Sequence, residues 1–188
     1  TGTNVEIMLK FADLISEFAD DGDRAKRVRR NLMKAAVTRK MIVGADVYRI
    51  RGGTPSGFAL TVMINSLMNE FYLRLAWRKL SPHADLRGNF FFSNHVVISV
   101  YGDDNVVSFS ADVAPWYNLE TISKELAKYG VKLGDGRKTG AVIKWQRFDE
   151  IDFLKRSWVP VDTGVYMCPI NRTSIEEQLF WIKAGRTD

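Results

Sequence analysis

Apolar residues at Val5, Met8, Leu9, Phe11, Ala12, Ile15 and Phe18 recur close to every 3.6 positions, which predicts an amphipathic helix over 5–18. Asp20-Asp21-Gly22-Asp23 ends it with turn-favouring residues, and a second helix starts near Asp23. Residues 41–51 read as extended, with Val47, Tyr48 and Ile50 favouring a strand. Gly52-Gly53-Thr54-Pro55-Ser56-Gly57 is a loop, punctuated by Pro and Gly. The stretch 58–80 is long, largely apolar and free of Gly and Pro, so it reads as a helix buried on more than one side, stopped at Ser81-Pro82. Two β-rich runs, 96–101 and 106–109, are separated only by Gly102-Asp103-Asp104-Asn105, a strong hairpin signal. An amphipathic helix over 119–129 follows, with Gly130 as its stop, and then a flexible loop over 134–140. A last pair of strands is expected around 152–158 and 164–168. A helix over 174–184 completes the pattern, with Ser174 and Glu177 at capping-box spacing. The chain contains no internal repeat.

Composition narrows the class. The chain has 188 residues, 46% hydrophobic and 26% charged, the balance of one globular domain rather than a disordered segment. One cysteine, Cys168, excludes an internal disulfide and points to a reducing compartment. Two histidines and one cysteine cannot build the usual four-ligand zinc site. The opening residues lack the basic and apolar runs of a secretory signal. The longest uncharged stretch, 52–69, is too rich in Gly, Pro, Ser and Asn to span a membrane. The net charge is +5, which suits a polyanionic partner or simply a soluble surface. Between Arg24 and Ala45 there are eight basic residues and no acidic one, a local field stronger than the net charge implies.

The candidate chemistry lies in the hairpin. Adjacent carboxylates at Asp103 and Asp104 repel at short range unless a cation neutralises them. Flanking Val, Ile and Phe imply packed strands and a rigid tip. Such a pair is a hard-oxygen site suited to Mg²⁺ or Mn²⁺, and two such ions about 3.5–4 Å apart can clamp the attacking and leaving oxygens of a phosphoryl displacement. A merely solvated Asp-Asp turn is the competing explanation. An EF-hand loop fails, because Ser108 stands where its Gly belongs and Ala114 where its Glu belongs. Gly57, Thr61 and Asn65 are spaced by four, so a helix presents them on one face directly after the Gly/Pro loop. Polar packing inside a buried helix would account for them less well. Gly134-Asp135-Gly136-Arg137-Lys138-Thr139-Gly140 misses the spacing of a phosphate-cradling P-loop. Phe90-Phe91-Phe92 reads as core or interface.

Together these residues resemble the palm of viral RNA-dependent RNA polymerases of the picornavirus-like positive-strand RNA viruses. Residues 52–57 through Asn65-Ser66 look like motif B, and Tyr101-Gly102-Asp103-Asp104-Asn105 like motif C. Lys138 falls where motif D carries its lysine, and Phe153-Leu154-Lys155-Arg156 looks like motif E. The run from Ser174 to Trp181 resembles the start of the thumb. The resemblance implies an α+β fold, the palm of a right-hand polymerase, with an antiparallel sheet and helices packed on one face. Residues 1–51 would follow motif A at the palm–fingers junction, 52–168 would be the palm core, and 169–188 would begin the thumb. It implies template-directed RNA synthesis from ribonucleoside triphosphates. Asp103 would bind catalytic Mg²⁺ (or Mn²⁺), with Asp104 a secondary ligand. Ser56 and Gly57 would form a mobile loop adapting to template and nucleotide. Asn65, with Thr61, would read the ribose 2′-OH. Lys138 would sit near the triphosphate and protonate the leaving pyrophosphate, while Lys155 and Arg156 would hold the primer backbone. RNA template and primer and other viral replication proteins are the implied partners, in membrane-associated replication complexes of the host cytoplasm. The family's motif A aspartates find no match ahead of Gly52, so the chain is expected to be a fragment, inactive alone. A reverse-transcriptase palm and a non-catalytic RNA-binding α+β module are the alternatives.

Overall fold

The structure is a computed structural model that describes residues 5–55, 57–134, 136, 140 and 143–180. Helices α1 (Val5–Ala19) and α2 (Asp23–Val37) form a helical hairpin around the expected acidic turn. Strands β1 (Thr38–Val43) and β2 (Asp46–Arg51) pair antiparallel, Thr38 opposite Arg51 and Val43 opposite Asp46. The extended stretch over 41–51 is therefore a tight ribbon: Gly44 reverses it at φ +63°. Helix α3 (Thr61–Leu80) starts three residues later than its apolar pattern does. After a 3₁₀ turn at Asp85–Arg87, α4 (Asn89–His95) leads into β3 (Val96–Tyr101) and β4 (Asp104–Phe109), the expected hairpin. Helix α5 (Leu119–Ala127) is capped reciprocally: the Asn118 side chain accepts from Thr121 N and the Thr121 hydroxyl accepts from Asn118 N.

The last part departs from the one pair of strands expected. Four short strands form two ribbons: β5 (Asp152–Phe153) with β6 (Arg156–Ser157), and β7 (Val159–Asp162) with β8 (Val165–Met167). The first turn runs through Leu154 and Lys155 at φ +54° and +62°. It has no glycine, so nothing in the local sequence announces it. Helix α6 (Arg172–Leu179) begins two residues before the expected cap. Asn171 caps it by accepting from Thr173 N at 3.1 Å, so Ser174 lies inside the helix and the Ser174–Glu177 capping box does not form. Among the described residues the antiparallel pairing comprises four two-stranded ribbons and an isolated bridge between Arg156 and Ile170, an α+β arrangement without one continuous sheet.

Helix α3 explains its own unpatterned hydrophobicity by bridging two cores. Its first half places Ile64 and Met68 against Met8, Phe11 and Ala12 of α1 and Met33 and Val37 of α2. Its second half places Leu73, Ala76 and Trp77 against Phe92, Val96, Tyr117, Ile122 and Leu126. Trp77 is 1% exposed, meets Phe92 and Tyr117 edge-on, and donates its indole N–H to Leu86 O at 2.7 Å. Tyr117 donates its hydroxyl to Leu73 O at 3.1 Å, and its burial raises the phenol's pKa far above the ordinary value. Each fully buried side chain of this size contributes about 1.5–3 kcal/mol. The β3–β4 ribbon lays one face, Val96, Ile98, Val107 and Phe109, on this core. Cross-strand pairs Val96–Phe109 and Ile98–Val107 hold that face together. Both ends of α3 are thus fixed, and the hairpin is fixed to α3.

Candidate active site

The β3–β4 hairpin reverses through only two residues, Gly102 and Asp103, since Tyr101 already pairs with Asp104. Gly102 occupies the first turn position at φ +65°, a backbone open to glycine and costly for other residues. Gly102 is buried, whereas Asp103 and Asp104 are exposed. Among the described residues neither carboxylate is engaged by a cationic side chain.

The turn is held by side chains of α3. Ser66 Oγ accepts from Gly102 N at 2.9 Å and donates to Val62 O at 2.8 Å. Asn69 Nδ2 donates to Gly102 O at 3.2 Å and to Asp103 O at 3.0 Å. Asn105 Nδ2 in turn donates to Asn69 Oδ1 at 3.2 Å. One turn of helix earlier, Thr54 Oγ1 meets Asn65 Oδ1 at 3.3 Å, and Thr61 Oγ1 donates to Pro55 O at 3.1 Å. Asn65 and Thr61 therefore face the Gly-rich loop, as their spacing requires. The loop is anchored behind by Gly52 N donating to Val37 O at 2.7 Å and by Arg39, whose guanidinium donates to Ala36 O and Gly53 O at 2.9 and 3.1 Å. Gly57 turns at φ +82° and is exposed. Ser56 and Lys138, both expected in the site, lie outside the described residues.

One helix thus links the loop to the carboxylate pair. Sequence reasoning brought Thr61 and Asn65 to one face but gave no role to Ser66, Asn69 or Asn105. The signal for Asn69 was present: the four-residue spacing of Gly57, Thr61 and Asn65 continues to it. Lys155 sits at the exposed tip of the β5–β6 turn, and β5 lies beside β4. Arg156 donates to Cys168 O at 2.8 Å, and Lys155 O accepts from Asn171 N at 2.8 Å, so the pair is braced against 168–171. The basic helix α2 is partly neutralised within the fold. Arg29 pairs with Asp21 and Arg30 with Asp13, and each arginine's hydrogen bond holds its carboxyl below the ordinary carboxylate range.

No group of three or more His, Cys, Asp or Glu gathers among the described residues. The two carboxylates of the turn nonetheless fit Mg²⁺ chemistry, because that ion commonly takes one or two carboxylates and fills its other positions with water and phosphate oxygens. No described helix is long and apolar enough to cross a membrane.

The family model for viral RNA-dependent RNA polymerase matches residues 3–188. The chain is 45% identical over 193 positions to the RNA1 polyprotein of Satsuma dwarf virus, covering all of this chain and 9% of that polyprotein. It is 36% identical to the RNA1 polyprotein of Beet ringspot virus, over 97% of this chain and 8% of the polyprotein. Against the RNA1 polyprotein of Cowpea mosaic virus the identity is 32%, over 97% of this chain and 10% of the polyprotein. Among solved structures, the Sicinivirus 3Dpol RNA-dependent RNA polymerase superposes with a TM-score of 0.66 at 20% identity, covering 86% of this chain and 32% of that one. That likeness shows the fold, the α+β fold of a right-hand polymerase. The chain spans about a tenth of the polyproteins it matches and about a third of the solved polymerase. By sequence over nearly its whole length, it belongs to the viral RNA-dependent RNA polymerase family.

Proposed function

We propose that this chain serves template-directed RNA synthesis from ribonucleoside triphosphates, as the palm of a larger viral polymerase, by nucleotidyl transfer of the two-metal type. The observation that carries the reading is the carboxylate turn clamped to α3, the helix that also presents Asn65 to the Gly-rich loop. A primer 3′-oxygen attacks the α-phosphorus of the incoming nucleotide; the bond from that phosphorus to the β-phosphate bridging oxygen breaks, and pyrophosphate leaves. Asp103, with Asp104 secondary, holds Mg²⁺ or Mn²⁺, which supplies charge neutralisation and a more acidic 3′-hydroxyl when bound. Asn65 and Thr61 read the ribose 2′-OH, and Ser56 and Gly57 adapt the loop to template and nucleotide. Lys138 protonates the pyrophosphate, and Lys155 and Arg156 hold the primer. In this reading 1–51 joins palm to fingers, 52–168 is the palm core and 169–188 opens the thumb. RNA template and primer and other viral replication proteins are the partners, in membrane-associated complexes of the host cytoplasm.

Primer extension by the complete polymerase tests this. Asp103→Ala is expected to abolish nucleotide addition with thermal stability retained, since removing one of two adjacent exposed carboxylates relieves repulsion. Asn65→Ala is expected to lower the preference for ribo- over deoxyribonucleotides. Normal extension by Asp103→Ala overturns the reading. Unchanged sugar preference in Asn65→Ala removes Asn65 from ribose recognition, and an intrinsic preference for deoxyribonucleotides would indicate a reverse transcriptase.

A further inference from the structure

We infer that Asn69 is a positioning residue for the metal-binding carboxylates, setting the pose of the Gly102–Asp103 turn from helix α3; this rests on Asp103 and Asp104 being metal ligands. The amide of Asn69 is fully committed to the hairpin. Its two N–H groups reach the two consecutive carbonyls of the turn, at 3.2 and 3.0 Å, and its oxygen accepts from Asn105 at 3.2 Å. Only one orientation of the amide satisfies all three, because the alternative would set an oxygen against two carbonyl oxygens. Ser66 takes a third apical group, Gly102 N–H, at 2.9 Å. Three of the four backbone polar groups at the apex, Gly102 N–H, Gly102 O and Asp103 O, are thus bonded to side chains of a helix more than thirty residues away in sequence.

A two-residue turn at a hairpin tip ordinarily leaves such carbonyls to water. Here the peptide planes on both sides of Asp103 are pinned. Those planes fix the Cα–Cβ directions from which the two carboxylates extend. Asn69 itself stays off the carboxylates: its bonds go to the main chain of the turn. Its part is therefore to hold the backbone that carries the two acidic side chains in one pose, so that a divalent ion has only their rotamers left to select. Because Asn65 is one helical turn away on the same face, the ribose-reading amide and the carboxylates are also held at constant separation.

The test uses the complete polymerase and two readouts, Mn²⁺ binding followed by electron paramagnetic resonance in the absence of nucleotide, and the Mg²⁺ concentration giving half-maximal primer extension. Asn69→Ala is expected to weaken Mn²⁺ binding and raise the Mg²⁺ requirement by about tenfold, the scale of losing two modest hydrogen bonds. Asn105→Ala, which leaves both carbonyl bonds, shifts them less. Asn69→Ser, too short to reach the turn but small and polar, is expected to behave as the alanine variant does and serves if that variant does not fold. A folded Asn69 variant with unchanged Mn²⁺ binding and Mg²⁺ requirement overturns the inference, even if its melting temperature falls. Asp103→Ala separates the two readings. If it abolishes Mn²⁺ binding while the Asn69 variants do not change it, the clamp alone fails; if Asp103→Ala binds Mn²⁺ as the parent does, the metal-ligand reading fails and takes the clamp with it.

Discussion

Replacing Gly102 by alanine isolates the backbone's share in shaping the carboxylate turn. The residue lies at φ +65°, and no atom stands within 4 Å of where a Cβ would project. Steric overlap with neighbours is therefore absent, and the Gly102 N–H···Ser66 bond survives the change. What remains is the cost of an L-residue in the left-handed region, about 1–2 kcal/mol. Restriction of the unfolded chain by the new side chain offsets about 0.4–1 kcal/mol of it. The net loss is about 1 kcal/mol, or roughly 2–4 °C in a domain of this size. Ser66→Ala makes the comparison. It strands the N–H of a buried residue at about 1–3 kcal/mol, reduced by about half a kcal/mol of improved helix propensity. Thermal unfolding followed by tryptophan fluorescence measures both, alongside primer extension. The expected order is Ser66→Ala at least as destabilising as Gly102→Ala, with extension impaired in both because the carboxylates move. A Gly102→Ala variant as stable and active as the parent would refute the reasoning, since the turn could then form without the positive φ. A loss well above 3 kcal/mol would refute the absence of a clash.

Two further outcomes follow from the packing. Trp77→Phe keeps an aromatic ring among Phe92, Trp116 and Tyr117 but leaves Leu86 O without the indole donor, so a loss of about 2 kcal/mol is expected in thermal or urea denaturation; a neutral substitution would mean that Leu86 O finds water instead. Asp13 is held below its ordinary value of 3.8 by its hydrogen bond to Arg30, so its contribution is complete above that value and is lost as pH falls through the lower folded value. The acid limb of a stability–pH curve is therefore expected to flatten in Asp13→Asn below about pH 4, and an unchanged limb would show that the α1–α2 ion pair contributes nothing.

Periodicity along the chain carried most of the local structure, for a physical reason. Alternating apolar and polar positions decide whether a segment can bury one face, and the breakers between them act within a few residues. So α1, α2, α5, the β3–β4 hairpin and the Gly/Pro loop were legible, as was the candidate carboxylate pair, because two adjacent charges need no partner to be conspicuous. The ribbon turns at Gly44 and at Leu154–Lys155 were not, the second because its positive φ values fall on residues with no preference for them. The cap of α6 fell to Asn171 rather than Ser174, since a cap is decided by where the preceding chain approaches, here Asn171 tied to Lys155 O. By itself, then, the sequence determined most of the helices and the β3–β4 hairpin, and it singled out the carboxylates as candidates to bind a cation. Only the tertiary structure decided that α3 bridges two cores and lends Ser66 and Asn69 to the turn more than thirty residues on. A hydrogen bond between distant residues depends on where packed helices bring them, and no local pattern records that distance.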